Sequence, residues 1–587
     1  MLKHVLPAES VYSPDWILLT GEPVLLLRRN PLLNIRAPGR SPYFFVTLLL
    51  LAPVFAPAQM APGTGTFSVR GTVVNSVSGA PVGRAFVELN AQYAMLTDGS
   101  GQFSFDHVPA GLYMVCVQRP GYLTIGIPQG GGHRFRWFGG QELHSRPMRV
   151  NGDTDNLRFA MTPAGSISGQ VTVSGADPSD GIVVSLYARQ FQDGRPLWVP
   201  AGHATTRSDG TFRFGDLAPG SYTVNTQANL ETRAGIADNS NRPVWGYPPV
   251  YYPGVTDPNS AGIMTLAAGQ QAEADFSVKL QQFFPVTIGV RGSQQGTPGE
   301  FNVLDAGGRP TGFPARYSLS EQLVHANVPN GSWVLNARGF GQTMTWGRAA
   351  FQVAGAPVSL AIALEQIPRI PVEIHRDFMS SNAPAPTTNA GLSLRLISAD
   401  PFNATGGAGF LTTRPPAEGG GWQINVTEPG RYWIDATPQA PAYISSITSG
   451  DTDLMSTPLL VATGGSPAHV DVTLRDDSGT ITGQMSTGST ASPGTSQPQE
   501  AVQLCAIPLF PTVAHVPVTM AASDGSFRFA GLAPGSYRVA PCSAPQEIDF
   551  HSADGLSAWT GKGQVVTVSG GGTAQVTLSQ SGGETAQ

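Results

Sequence analysis

The sequence predicts an all-β protein, a tandem array of about five β-sandwich domains, and three observations carry that prediction. First, "SDGTFRFGDLAPGSYTV" (Ser208–Val224) is nearly repeated as "SDGSFRFAGLAPGSYRV" (Ser523–Val539). Second, a glycine followed two residues later by a large aromatic recurs along the chain, as Gly111/Tyr113, Gly220/Tyr222, Gly331/Trp333, Gly430/Tyr432 and Gly535/Tyr537. Successive glycines are 109, 111, 99 and 105 residues apart, the length of one small sandwich and too long for a solenoid repeat. Third, the 587 residues include 70 Gly and 50 Pro with only 13% charged, which alongside regular alternation reads as many short strands joined by turns.

The repeated phrase is strand, turn, strand. Asp209-Gly210 is a two-residue turn signal, since Asp and Gly tolerate positive φ. Thr211–Phe214 then alternates, with Phe212 and Phe214 on one face. Pro219-Gly220 predicts a type II turn with positive φ at the glycine, and Ser221–Val224 alternates again with Tyr222 and Val224 on one face. "GSGQFSFDHVPAGLYMV" (Gly99–Val115) is a third copy; "ANVPNGSWVL" (Ala326–Leu335) and "NVTEPGRYWI" (Asn425–Ile434) keep the turn and the aromatic. The turn followed by an inward Tyr resembles the tyrosine corner of immunoglobulin-like sandwiches, where the hydroxyl ties back to backbone. Asp98, Asp209 and Asp524 recur at these turns and are expected to form them. No convincing amphipathic helix is present.

The segments open alike. "VRGTVVNSVSGAPVGRAFVELN" (Val69–Asn90), "SISGQVTVSGADPSDGIVVSLYA" (Ser166–Ala188) and "TITGQMSTG" (Thr480–Gly488) each begin a strand, polar turn, strand unit; "FPVTIGVRG" (Phe284–Gly292) and "IPVEIHRDF" (Ile370–Phe378) are more diverged. Together with the D-G-x-F-x-F-x-x-L-x-P-G-x-Y-x-V phrase, this resembles the carboxypeptidase regulatory-like domain, a prealbumin-like sandwich related to the B-type repeats of Gram-positive adhesins. The resemblance implies prealbumin-like or immunoglobulin-like sandwiches at 64–163, 164–280 and 477–580, with diverged ones at 281–368 and 369–476. In that family the domain is an accessory module, and the resemblance is nearly silent on function. Adhesin repeats often carry a Lys–Asn isopeptide bond. Here the only lysines are Lys3, Lys279 and Lys562, so most segments cannot form one.

Residues 1–58 read as a signal-peptide region. The apolar run Tyr43–Phe55 follows Arg28, Arg29, Arg36 and Arg40, and Ala56-Pro57-Ala58 fits a small-x-small cleavage site. The long stretch before it fits a start codon placed upstream of the true one; an uncleaved anchor is the alternative. The chain is therefore expected to be secreted, periplasmic or on the cell surface, with no membrane span beyond that segment. Net charge is −6 with no basic cluster, which argues against nucleic acid as a partner. Export permits a bridge between Cys505 and Cys542, whereas Cys116 suits a small buried residue.

No catalytic motif is found: no H-E-x-x-H, no G-x-S-x-G elbow, no P-loop. No metal site or cofactor is expected; "NGDTDNL" (Asn151–Leu157) and "SGDTDLM" (Ser449–Met455) read as polar turns. Two aromatic-rich stretches stand outside the strand pattern, "HRFRWFGG" (His133–Gly140) with Trp137, and "NRPVWGYPPVYYPG" (Asn241–Gly254) with Trp245, Tyr247, Tyr251 and Tyr252. Each suits a platform on which a sugar ring stacks, or a lid folded over a sandwich end. The expectation is a non-enzymatic envelope or extracellular binding module, with glycan or an envelope protein as partner. A structural stalk, or an accessory subunit or unrecognised form of an envelope hydrolase, are the alternatives.

Overall fold

The computed structural model describes residues 65–579, apart from residues 91, 127–146, 175–176, 193, 231–243, 293–298, 341–343, 368, 380–390, 403–408, 414–419, 427, 464–468, 487–501, 523 and 543–544. The signal-peptide region and Trp137 thus lie outside the described residues. In the first segment, strand Thr66–Asn75 pairs antiparallel with Gln102–Pro109 and parallel with Thr154–Met161. The facing sheet runs Tyr93–Leu96, Phe86–Leu89, Gly111–Gln118, Pro147–Val150. The last segment repeats this three-on-four sandwich. Gly479–Ser486 takes the central place between Ser526–Leu532 and Thr573–Ser579, facing Val518–Met520, Gln503–Pro508, Gly535–Pro541 and Gln564–Val568. Between them, strands Gly165–Val173, Gln281–Arg291 and Ile370–Asp377 each likewise have both antiparallel and parallel neighbours. The chain is a tandem array of β-sandwiches, each with its own apolar core. One short α-helix, Ala553–Ser557, is seen among the described residues, and none is long and apolar enough to cross a membrane.

Packing explains the glycine shared by the opening strands of the first, second and last segments. Gly71, Gly169 and Gly483 sit opposite Phe103, Phe212 and Phe527 in register. A Cβ on any of these glycines would collide with that Phe ring and with backbone of the parallel neighbour strand. The glycine is therefore a slot for the first Phe of the D-G-x-F phrase, and the two motifs are halves of one contact.

The aromatic after each glycine makes the same bond in every copy. The hydroxyl of Tyr113 donates to the Pro109 carbonyl at 2.9 Å, Tyr222 to Ala218 at 2.6 Å, Tyr432 to Glu428 at 2.7 Å and Tyr537 to Ala533 at 2.8 Å. Trp333 does it with its indole Nε1, donating to Pro329 at 3.0 Å. The donor is always four residues after the acceptor and two after the glycine. The ring folds back across the glycine, whose Cα carries nothing to obstruct it; a Cβ on Gly331 would stand 2.9 Å from the Trp333 ring. Burial pushes the Tyr222 hydroxyl up to about 12, so it stays a donor at any physiological pH.

Two turn expectations are corrected. The Pro-Gly step is not a type II turn: Gly220 has φ +158, near extended, and already begins strand Gly220–Thr226. A Cβ on Gly220 would stand 4.0 Å from the Tyr222 ring, an ordinary contact, so the ring alone does not exclude one there. The Asp-Gly turn is longer than two residues. Arg207 N–H donates to Thr211 and Gly210 N–H to Arg207, enclosing three residues with Gly210 at φ +75. The same bonds close Ala522–Ser526 and Asp98–Gln102, with Gly525 and Gly101 at the left-handed position. The aspartates do form these turns. Asp209 Oδ1 accepts from the Thr211 hydroxyl and amide, and Asp98 Oδ1 from the amides of Gln102 and Ser100. These bonds hold both carboxyls below the usual carboxylate range. Asp453 likewise accepts the Met455 amide two residues on, as a turn former does, whereas Asp153 accepts the amide of Ser68, 85 residues away.

Cys505 and Cys542 are joined, with Cα atoms 5.8 Å apart, and Cys116 is buried and free. The disulfide borders a small second core on the outer face of its sheet, formed by Ile507, Val516, Ile548 and Phe550 with Leu556 and Trp559. Lys279 and Lys562 are exposed. Two outcomes are expected. Tyr222→Phe, which keeps the ring and removes the corner bond, should lower stability in urea by about 1–1.5 kcal/mol, and Tyr222→Ala by about 3–5 kcal/mol. Reducing the disulfide, which closes a separation of 37 residues, should cost the last segment about 3–4 kcal/mol on the chain-entropy account, seen by calorimetry with and without reductant.

Candidate binding cleft

The turn chemistry is reused, buried, where the second and third segments meet. Asp305-Ala-Gly-Gly-Arg309 closes like the Asp98 turn: Asp305 N–H donates to the Arg309 carbonyl and Gly308 N–H to Asp305. Asp305 Oδ1 accepts from the amides of Gly307 and Arg309 at 2.8 and 2.9 Å. Its other oxygen accepts from the Tyr251 hydroxyl at 2.7 Å and faces Arg309 Nη1 at 3.6 Å. Asp305 is only 1% exposed and Tyr251 2%. A carboxylate this deep needs such a full set of donors. Burial, then the Asp305 charge, pushes the Tyr251 hydroxyl far above its ordinary value, fixing it as donor.

Arg309 carries the junction outward. Its Nη1 donates to the Pro258 carbonyl at 2.9 Å, and its guanidinium lies 4.1 Å from the Phe402 ring centre. Trp198 stacks on the same ring, 5.9 Å between centroids and 8° between planes, and Tyr187 meets it edge-on. The Trp198 amide donates to the Pro401 carbonyl at 2.6 Å. Around these side chains lies a cleft of about 250 Å³, lined by Trp198, Thr223, Asn259, Ile263, Arg309 and Phe402. A second cavity of about 530 Å³ lies alongside, bordered by Tyr187, His203, Gln227 and Pro310. Trp198 and Tyr187 belong to the long hairpin Val183–Gln192/Arg195–Thr205. That hairpin also places Arg195 over the Trp433 ring at 3.6 Å and Gly194 against Phe550, touching the fourth and last segments.

The aromatic loop is neither of the two arrangements expected for it. Val244–Tyr247 is a strand, and it pairs with Gln281–Arg291 of the next segment rather than closing the sandwich it follows. Trp245 is 42% exposed on that strand. Tyr247 and Tyr252 are half-buried against the second core, and Tyr251 is consumed by Asp305. The four rings therefore do not form a shared platform: Tyr251 turns inward to Asp305, Tyr247 and Tyr252 pack on the second core, and Trp245 is left exposed. Asp305, Arg309, Trp198 and Phe402 were not singled out from sequence. The available signal was Asp305-x-x-Gly308, the same turn that Asp98-x-x-Gly101 makes. Also unread in sequence is a surface group on the fourth segment, Glu373, His375, His469 and Asp471, joined by four His–carboxylate contacts of 3.2–3.9 Å.

Fold and junction define a tandem β-sandwich protein whose segments share side chains. Within it, residues 68–132 match the carboxypeptidase regulatory-like domain family. No curated protein matches the chain. Similar solved structures include the TIE protein of Bacillus anthracis, at 13% identity over 51% of this chain and 51% of that one, TM-score 0.16. A streptococcal ancillary pilin is 11% identical over 52% of this chain and 100% of its own, TM-score 0.17. A shaft pilin of Lactobacillus rhamnosus GG is 10% identical over 37% and 97%, TM-score 0.17.

Asp305→Ala should strand the Tyr251 hydroxyl, two amides and the Arg309 charge, costing about 3–5 kcal/mol. Tyr251→Phe should cost about 1–2 kcal/mol. Calorimetric unfolding of both variants checks the order.

Proposed function

We propose that the chain is an exported, non-catalytic array of about five β-sandwich domains that binds carbohydrate at the cell envelope, with the cleft at Trp198 and Arg309 as its site. The domain limits are those read from sequence. One observation carries this reading: the cleft brings the Trp198 ring and Asn259 of the second segment together with Arg309 of the third, itself 8% exposed. The Trp198 ring and the Asn259 amide beside it supply a stacking face and hydrogen-bonding groups, the combination that holds a sugar ring. Supports from several segments favour a preorganised site, which loses little entropy on binding.

The interlocking of the segments through Asp305 and the Val183–Thr205 hairpin supports a second role as a stiff spacer. Glycan-array binding of the chain tests the first. Trp198→Ala and Asn259→Ala should each weaken the bound glycan by about tenfold, roughly 1.4 kcal/mol, while the exposed Trp245→Ala leaves it unchanged. Loss in the Trp245 variant alone would move the site to the edge strand. Absence of any glycan binding by the wild-type chain would leave the spacer role.

A further inference from the structure

The exposed face of the fourth segment carries a group that the cleft does not use. Strands Ile370–Asp377 and Val470–Arg475 run parallel, with Val372 beside Val470, Glu373 beside Asp471 and Ile374 beside Val472. Val372, Val470 and Val472 point into the core. Alternation then turns Glu373, His375, His469 and Asp471 outward on one face. Two carboxylates side by side in register repel each other. Both are answered by imidazoles. His375 Nε2 is 3.4 Å from Asp471 Oδ1 and 3.9 Å from Glu373 Oε2. His469 Nε2 is 3.2 Å from that Asp471 oxygen and 3.8 Å from Glu373 Oε1.

We propose that Glu373, His375, His469 and Asp471 form a surface site for a divalent transition ion of the zinc type. Glu373, His469 and Asp471 have the spacing of a ligand set, and His375 flanks it. Atoms bound about 2.0–2.1 Å from a tetrahedral zinc stand roughly 3.3 Å from one another, close to the His–carboxylate separations present. Glu373, His469 and Asp471 offer ligand atoms all within 4.8 Å of one another, and His375 stands next to two of them. With both imidazoles neutral, the form that ligates, the group carries two negative charges to set against the ion. Two imidazole nitrogens select zinc, copper or nickel over calcium or magnesium, which take oxygen. The strands hold the ligands in place without the ion, and the side chains are open enough for it to enter: Glu373 is 63% and Asp471 34% exposed.

Isothermal titration of the full chain with zinc chloride tests this. The expected result is one equivalent bound, reversed by EDTA, with no heat from calcium or magnesium. His375→Ala and His469→Ala should each weaken binding by about tenfold or more, the double variant should abolish it, and His325→Ala, at the separate pair with Glu321, should leave it unchanged. Both histidines lie on the outer face of the sheet, so circular dichroism of the variants should match wild type. A wild-type chain that takes up no zinc overturns the proposal. So does a double variant that binds zinc with unaltered affinity and stoichiometry, or loss in the His325 variant alone.

Discussion

One short hydrogen bond, from an aromatic ring to a carbonyl four residues before it, sets the geometry on which each sandwich depends. In the first, second, third and last segments the chain leaves one sheet at the acceptor and enters the other at the glycine, whereas in the fourth both strands belong to one nine-stranded sheet; in every segment the ring packs on the core. Crossing point and core packing are thus coupled. The bond forms only with the aromatic facing inward, and at Gly331 the larger ring leaves no room for a Cβ. The tryptophan copy makes the point sharply. Trp333 has no hydroxyl, yet its indole N–H reaches the Pro329 carbonyl from the same place in the turn. What is kept is a ring with a donor at its far end, not tyrosine as such.

The glycine opposite the first Phe plays the matching part on the other sheet. Gly71, Gly169 and Gly483 each leave a slot that a ring fills. Together the slot and the corner pin one aromatic on each side of the core, and the remaining Val, Ile and Leu positions follow from strand alternation. The segments keep the two anchors to different degrees, which is why the central ones read as diverged while their opening strands still have both antiparallel and parallel neighbours.

Joining the sandwiches takes a different kind of contact. Asp305 begins as a turn former like Asp98, but the turn is buried at a junction, and its second carboxylate oxygen gathers Tyr251 and Arg309. A local device becomes a long-range one because burial removes water as the alternative partner. Arg309 then spans the gap to Phe402, and the Val183–Thr205 hairpin extends the same logic to Trp433 and Phe550. The cleft is a by-product of this arrangement: three segments meeting around an aromatic ring and a guanidinium leave a hollow lined by both.

What the sequence determined by itself is what depends on neighbours along the chain: the strands, the aspartate turns, the spacing of the corners and the sandwich class. The corner bond joins residues four apart, so a glycine and an aromatic two positions on were enough to read it. The tertiary structure decided the rest. Tyr251 meets Asp305 across 54 residues, and His375 meets Asp471 across 96. Nothing in either local stretch names the other. Whether "VWGY" covers its own sandwich or joins the next sheet turned on which edge strand was open to pair. Glu373-x-His375 and His469-x-Asp471 looked like scattered polar positions until the parallel register set them side by side. Local rules choose which face a side chain takes; only packing chooses what it finds there.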